Sequence, residues 1–305
     1  MGGLACILLV LAGCVAGPRT SVKPQERPAG LGQAVARPTS EASAALRSYF
    51  GQVQSAQLSQ GLLRDDGGGP DTPFTADMLA RNFEAIVFFN EYASALRGRG
   101  GESPLRRWDG PVRFGMVFGA SISAAQRSRD TQTVRAYARR LSGIANHPVG
   151  LSASSPNFIV IVADEDDRSS ALDRAAEQLR GITAASLDPL RDLPRDTYCA
   201  VAAYATGEDP NTYTRAVALI RAENPGLLRE SCFHEELAQG LGLANDSRAA
   251  RPSIFNDDDE FALLTDHDAL LLQMLYDPRL STGMTAQDAA PVVRIIAREL
   301  VQGPL

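Results

Sequence analysis

Apolar residues recur along this chain in two rhythms, and the change between them divides it. Between Glu41 and Leu62, the residues Leu46, Tyr49, Phe50, Val53 and Leu58 fall near helical spacing. This predicts an amphipathic helix, ended by Asp65-Asp66-Gly67-Gly68-Gly69-Pro70. A second helix is expected from a Thr75 cap to about Tyr92, with Leu79, Phe83, Ile86, Val87 and Phe89 on one broad face. Arg97-Gly98-Arg99-Gly100-Gly101 breaks the pattern again, so the two helices predict an N-terminal helical hairpin packed on the main domain. From Trp108 the rhythm is mixed. Val112 to Phe118 reads as a strand, and Thr131 to Ile144 as a helix with Val134, Tyr137, Ala138 and Leu141 on one face. Phe158 to Val162 is apolar throughout, as expected of a strand buried on both sides. Ser169 to Leu179 reads as a short helix. Tyr198 to Tyr204 and Tyr213 to Ile220 form the arms of a hairpin around Gly207-Glu208-Asp209-Pro210-Asn211. Pro225-Gly226 precedes a helix from about Leu227 to Leu241, and two closing helices are expected after it, Asp266 to Tyr276 and Ala286 to Val301. The class is α+β with a mixed sheet.

The N-terminus carries a different signal. Leu4 to Ala12 is an apolar run too short to span a bilayer and of the length of a signal-peptide core. It ends in Leu11-Ala12-Gly13-Cys14, which resembles a bacterial lipobox, although Met1-Gly2-Gly3 lacks the usual positive charge. The resemblance implies that residues 1–13 are a signal peptide cut before Cys14. Acyl chains on Cys14 would then anchor the protein in a membrane of the bacterial envelope, facing the periplasm. Residues 14–40 are rich in Pro, Gly, Ser and Arg and read as a tether. The expected order is therefore tether, N-terminal helical segment over 41–100, and α/β domain over 101–305. With Cys6 lost and Cys14 lipidated, Cys199 and Cys232 remain as disulfide candidates, or as two buried free thiols.

Charge removes one class of partner. The 305 residues hold 30 basic and 36 acidic side chains, and no Lys/Arg cluster stands out, so nucleic acid is not expected to bind. There is no G-x-S-x-G elbow, Walker loop or C-x-x-C.

Candidate chemistry is concentrated between Ser231 and Leu280. The stretch opens S-C-F-H-E-E-L-A-Q-G-L-G-L-A-N-D and continues through P-S-I-F-N-D-D-D-E-F and L-L-T-D-H-D to L-Y-D-P-R-L. A helix that turns at a glycine, after this order of strands, is similar to the metzincin branch of zinc peptidases. In that family H-E-x-x-H places two imidazoles on one helix face, and the intervening Glu activates a zinc-bound water. Counting from Gly242, the resemblance assigns the three ligand slots to Glu235, Gln239 and Asn245, with Asp246 beside the last, and the general-base slot to Glu236. A frame starting at His234 puts Ala238 at a ligand slot and misplaces the glycine. Phe255, in Ser253-Ile254-Phe255, occupies the methionine position of the family's turn, and Leu264 to Tyr276 is similar to its closing helix. From about Trp108 to Thr285 the wording resembles the bacterial lipoprotein-type domain of unknown function 2927 family.

The metzincin-like motif is thus degenerate, and no zinc is expected. Glu235, Gln239, Asn245 and Asp246 offer oxygen donors, which suit Ca²⁺, Mg²⁺ or Mn²⁺. Successive helical residues diverge by about 100°, so Glu235 and Glu236 are not expected to face one substrate. An acid/base pair would then need Asp246 or Asp268. Alternatively, Gln239, Asn245 and Asp246 cap the helix and hold the turn. His267 is a candidate ligand or catalytic group, or part of a helix-start cap; His147 carries no signal. The acidic run Asn256 to Glu260 lacks EF-hand spacing and reads as a solvated loop. Two functions compete, ahead of a third in which the stretch serves only the folding of a structural envelope protein. One is a lipid-anchored envelope protein that binds or assembles with a protein or peptide partner. The other is a hydrolase of peptide or cell-wall material with Glu236 as general base.

Overall fold

The computed structural model describes residues 39–90, 101–256 and 258–302. The expected signal peptide, Cys14, the tether to residue 38 and the end of the second helix near Tyr92 lie outside these.

The central strands take their places from a strict alternation. In β5 (Phe158–Ala163) all six residues are buried. Phe158, Val160 and Val162 enter one hydrophobic cluster, while Ile159, Ile161 and Ala163 enter another on the opposite face. Its neighbours are β3 (Val112–Phe118) and β7 (Arg215–Arg221), both parallel to it. Outside β3 lies the short parallel strand β4 (Val149–Leu151). Outside β7, β6 (Cys199–Tyr204) runs antiparallel and closes the predicted hairpin. The order is β4-β3-β5-β7-β6, a mixed sheet as expected, with β6 as an edge strand. A separate two-residue ladder joins β1 (Phe89–Asn90) to β2 (Gly101–Glu102). Strands as short as β1, β2 and β4 are too brief to show a period in the sequence.

Helices cover both faces of the sheet. Against one face lie α4 (Arg168–Gln178) and the single turn α5 (Asp188–Arg191), through Ala171, Leu172, Ala175 and Leu190. The other face carries α3 (Ala124–Ala145), α6 (Gly226–Gln239) and α7 (Asp266–Leu275). Helix α3 begins seven residues before the expected Thr131, because Ser123 caps it by accepting the Gln126 N–H. Its first turns are too polar for an apolar period to reveal. Among the described residues, no helix is long and apolar enough to cross a membrane.

The predicted N-terminal hairpin does not form. Helix α1 (Glu41–Ser59) buries Leu46 and Phe50 in a small cluster with Leu63, Leu228 and Ala262. Helix α2 (Ala76–Val87) instead puts Leu79, Phe83 and Ile86 into the main core, beside α7 and α8 (Ala286–Gln302). The link between them explains the difference. Leu63 N–H donates to Asp259 O, Arg64 N–H to Glu260 O, and Ala262 N–H returns to Arg64 O. The connection is thus paired to a distant segment before Gly67 and Gly68 redirect the chain at positive φ.

A disulfide joins Cys199 at the start of β6 to Cys232 on α6, with Cα atoms 5.8 Å apart. The two cysteines are therefore bonded, and the alternative of two free thiols is excluded for this structure. Closing a loop of this length stabilises the fold by roughly 3–4 kcal/mol on the chain-entropy argument.

Candidate functional site

Helix α6 and the turn after it set the site. Trp108 Nε1–H donates to Gly240 O at 2.8 Å, and the Tyr276 hydroxyl donates to Leu241 O at 3.0 Å. A Cβ on Gly240 would stand 2.5 Å from the Phe158 ring, so the helix end lies directly on the sheet. Gly242 has φ +128°, and a Cβ there would stand 2.5 Å from Arg106 O. Only glycine lets the chain pass here and turn back along α6. After the turn, Asp246 Oδ1 accepts from Gln239 Nε2 at 3.2 Å.

A second turn, Pro252 to Phe255, is held by α7. Asp268 is fully buried and accepts from the Ser253 hydroxyl and from the Ile254 and Thr265 N–H groups. Thr265 and Asp268 form a capping box, and the Thr265 hydroxyl donates to Pro252 O at 3.0 Å. Phe255, at the position assigned to methionine, is buried in the main core.

Between these turns and the edge of the sheet lies a cleft of about 200 Å³. Glu235, Glu236 and Ser231 of α6 form one wall, with Asp246 and Ile254 from the two turns. Asp196 to Cys199, leading into β6, also line the cleft, and Asn256, Asp259 and Phe261 complete the lining. Arg221, which is 1% exposed, holds the segment that leads into β6: Nε donates to Thr197 O and Nη2 to Pro194 O, while Nη1 pairs with Glu165 at 2.8 Å. Five of the lining residues are acidic and none is basic.

Residues 76–295 match the family described as "Protein of unknown function (DUF2927)". The chain belongs to that family. No curated protein and no solved structure matches it. The DUF2927 region begins with α2 and contains the whole lining of the cleft.

Within the DUF2927 region the expected site residues separate into two groups. Glu235, Glu236 and Asp246 meet in the cleft, and Gln239 supports Asp246 from behind. Asn245 does not join them. Its amide donates to Ala85 O of α2 at 3.0 Å and to Asp246 O at 2.8 Å, so it braces the turn against a neighbouring helix. His267 is also elsewhere. It is fully buried, with Nε2 3.1 Å from Asn82 Nδ2 and its ring edge-on to Phe74. His234 faces away from the cleft and stacks on Tyr137 at 4.0 Å, and its Nδ1 accepts the Leu264 N–H. His147 Nε2 lies 2.9 Å from Gly110 O, with its ring against Tyr276. All three histidines of the chain are therefore engaged away from the cleft.

One expectation is corrected here. Glu235 and Glu236 do converge: a carboxylate oxygen of each and Cys199 Sγ lie within 4.8 Å of one another. Two side-chain methylenes are enough to recover the angular offset imposed by the helix. The acidic run is a loop with Asp258 and Asp259 exposed, as expected, and it is also anchored to the domain. Asp259 Oδ2 accepts from Gln57 Nε2 of α1, and Glu260 pairs with Arg64 and Arg251. Burial, followed by the nearby Asp259 carboxylate, pushes the Tyr198 hydroxyl up to about 12. Asp196 and Tyr198 escape a sequence reading of the site because neither lies near α6 in sequence, whereas Asp259 belongs to the acidic run already weighed. For a metal, the Cys199, Glu235 and Glu236 group is the cluster present among the described residues. With Cys199 in a disulfide, only its carboxylate oxygens are offered as ligands.

Proposed function

We propose that this chain is a lipid-anchored bacterial envelope protein whose DUF2927 region is a zincin-like binding or assembly module. Its ligand is an extended, basic segment of a protein or peptide partner. The observation that carries the proposal is the cleft: five acidic residues, no basic one, and an edge strand alongside. A sheet edge can add an extended strand, and the acidic wall selects its cationic side chains. The zincin-like reading is supported by the element order: four parallel strands, an antiparallel edge strand, and a helix ending in a glycine turn beside that edge. With Glu235, Gln239 and Asn245 in its ligand slots, a peptidase zinc has no imidazole to hold it.

Fluorescence anisotropy with a lysine- and arginine-bearing peptide and its glutamate counterpart tests the ligand. The basic peptide is expected to bind, more weakly at high salt, and about tenfold more weakly to Glu235→Gln/Asp259→Asn, on the scale of a charge pair worth roughly 1.4 kcal/mol. Equal binding of the acidic peptide would overturn the proposal. The anchor has its own test. Cys14→Ser is expected to move the protein from the membrane to the soluble fraction of the producing bacterium; an unchanged membrane fraction would remove the lipid from the proposal.

A second reading is favoured by the convergence of Glu235 and Glu236 within the cleft. A hydrolase would use Glu236 as general base and the neighbouring carboxyl as its acid partner. Peptide or cell-wall cleavage that Glu236→Gln abolishes, with binding retained, would select hydrolysis over binding.

A further inference from the structure

The geometry points to a redox-gated site for a thiophilic divalent cation, Zn²⁺ in particular, formed by Cys199, Cys232, Glu235 and Glu236 when the disulfide is reduced. Cys199 Sγ and one carboxylate oxygen each from Glu235 and Glu236 lie within 4.8 Å of one another. Tetrahedral ligands at roughly 2.0–2.3 Å from a common Zn²⁺ sit about 3.3–3.8 Å apart, so side-chain adjustments of about 1 Å bring the three atoms onto one ion. Cys232 adds a fourth donor. It is bonded to Cys199 in the oxidised protein, and after cleavage the two sulfurs need to separate only to about 3.7 Å for tetrahedral ligation. The site draws on the edge strand and on the side of α6 that faces it. It does not use the helix-and-turn positions Gln239 and Asn245, of which Asn245 is held by α2.

A second observation concerns the sulfur. Asn224 Nδ2 lies 3.5 Å from Cys232 Sγ, and the same nitrogen donates to Tyr198 O. An amide N–H directed at a cysteine sulfur is the outer-sphere contact that supports a metal-bound thiolate. Both cysteines are buried, Cys199 6% and Cys232 1% exposed, and Cys199 is the one that lines the cleft.

The gate arises from ligand chemistry. While the disulfide is closed, neither sulfur carries charge and the group offers only the Glu235 and Glu236 carboxylates as ligands, a donor set suited to hard cations. A dithiol reductant adds two electrons and two protons to the S–S bond and closes its own disulfide. Zn²⁺ then displaces the two thiol protons to solvent and forms two Zn–S bonds without changing oxidation state. Without the cation, two thiolates beside two carboxylates repel one another, so the dication is what allows the four groups to share the site.

Zinc chloride uptake by the purified full chain is the test, measured by equilibrium dialysis and elemental analysis. Oxidised protein is compared with protein reduced by a phosphine, which becomes its oxide and does not compete for the ion. The reduced chain is expected to hold one zinc, roughly 100-fold more tightly than the oxidised chain, and Glu235→Gln/Glu236→Gln to lose at least about tenfold. Cobalt in place of zinc is expected to show a thiolate charge-transfer band in the reduced protein only. A Cys232→Ala variant frees the Cys199 thiol without any reductant, and is expected to bind zinc above the oxidised wild type. Equal uptake by oxidised and reduced protein, no loss in the double glutamine variant, or no gain in Cys232→Ala would each overturn the proposal. The metal site uses the same cleft as the peptide proposal but is measured without peptide. Zinc uptake can therefore fail while basic-peptide binding persists, and the reverse.

Discussion

Gly242→Ala is expected to destabilise the protein by on the order of 4–5 kcal/mol, the far end of single-substitution effects. Two costs combine at this position. The backbone has φ +128°, a region that a residue with a Cβ enters only under strain of roughly 1–3 kcal/mol. The added Cβ would also stand 2.5 Å from Arg106 O and 3.0 Å from Leu275 Cδ2. The closer neighbour is backbone, so relief requires moving the segment before Trp108, whose indole holds Gly240 O. Because the same turn returns Asp246 to Gln239, the variant should also lose the affinity of the cleft for basic peptide. Gly143→Ala is the control. It lies inside α3 with nothing within 4 Å of its Cβ position, and should be neutral or stabilising by up to about 1 kcal/mol. Equilibrium urea unfolding of the three proteins checks both values. A Gly242→Ala loss below about 1 kcal/mol would show that the turn relaxes freely, against the role given to it.

The second large effect is an acid-side loss of stability through His234. Burial, with a smaller contribution from the Arg140 charge on α3, lowers its pKa from 6.5 to about 3. The folded protein therefore keeps the ring neutral where the unfolded chain protonates it. The contribution is fully present above pH 6.5 and falls away as the pH drops toward 3, by about 1.4 kcal/mol per unit. Over that window the loss reaches roughly 4–5 kcal/mol. The cause is local: Nδ1 already accepts the Leu264 N–H, and Tyr137 covers the ring face at 4.0 Å. Asp130 and Glu223 act with the opposite sign, since burial pushes both carboxyls up and so favours the folded state in acid. The difference between wild type and His234→Asn isolates the histidine, because the asparagine carbonyl can still accept from Leu264. The variant is expected to be less stable at pH 7 and to converge on the wild type as the pH falls to 4, in urea unfolding at each pH. A gap that stays constant from pH 7 to pH 4 would mean that His234 is not the group responsible.

Several features of this protein are legible in its sequence because they are local. The continuous apolar run of β5, the hairpin of β6 and β7, and the α6 helix with its glycine turn depend on residue spacing within a few positions. Gly242 stands out because a helix that must turn back needs a residue free of a Cβ. Cys199 and Cys232 emerge as a candidate pair once the other two cysteines are assigned to the N-terminus. Position in a motif is less informative about role. Asn245 and His267 stand close in sequence to catalytic-looking residues, yet the fold turns one onto α2 and buries the other against Asn82.

By itself, the sequence determined the α+β class, the mixed sheet, the helix that carries Glu235 and Glu236, and the glycine at its end. These depend on apolar period, caps and φ preferences, which act over one or two turns of chain. Tertiary structure alone decided which charges share a cleft. Asp196 arrives on the lead-in to the edge strand, held by buried Arg221, and Asp259 arrives because residues 63–64 pair with residues 259–262. Those placements depend on which distant backbone segments satisfy each other's hydrogen bonds as the core closes, and no local period encodes that choice.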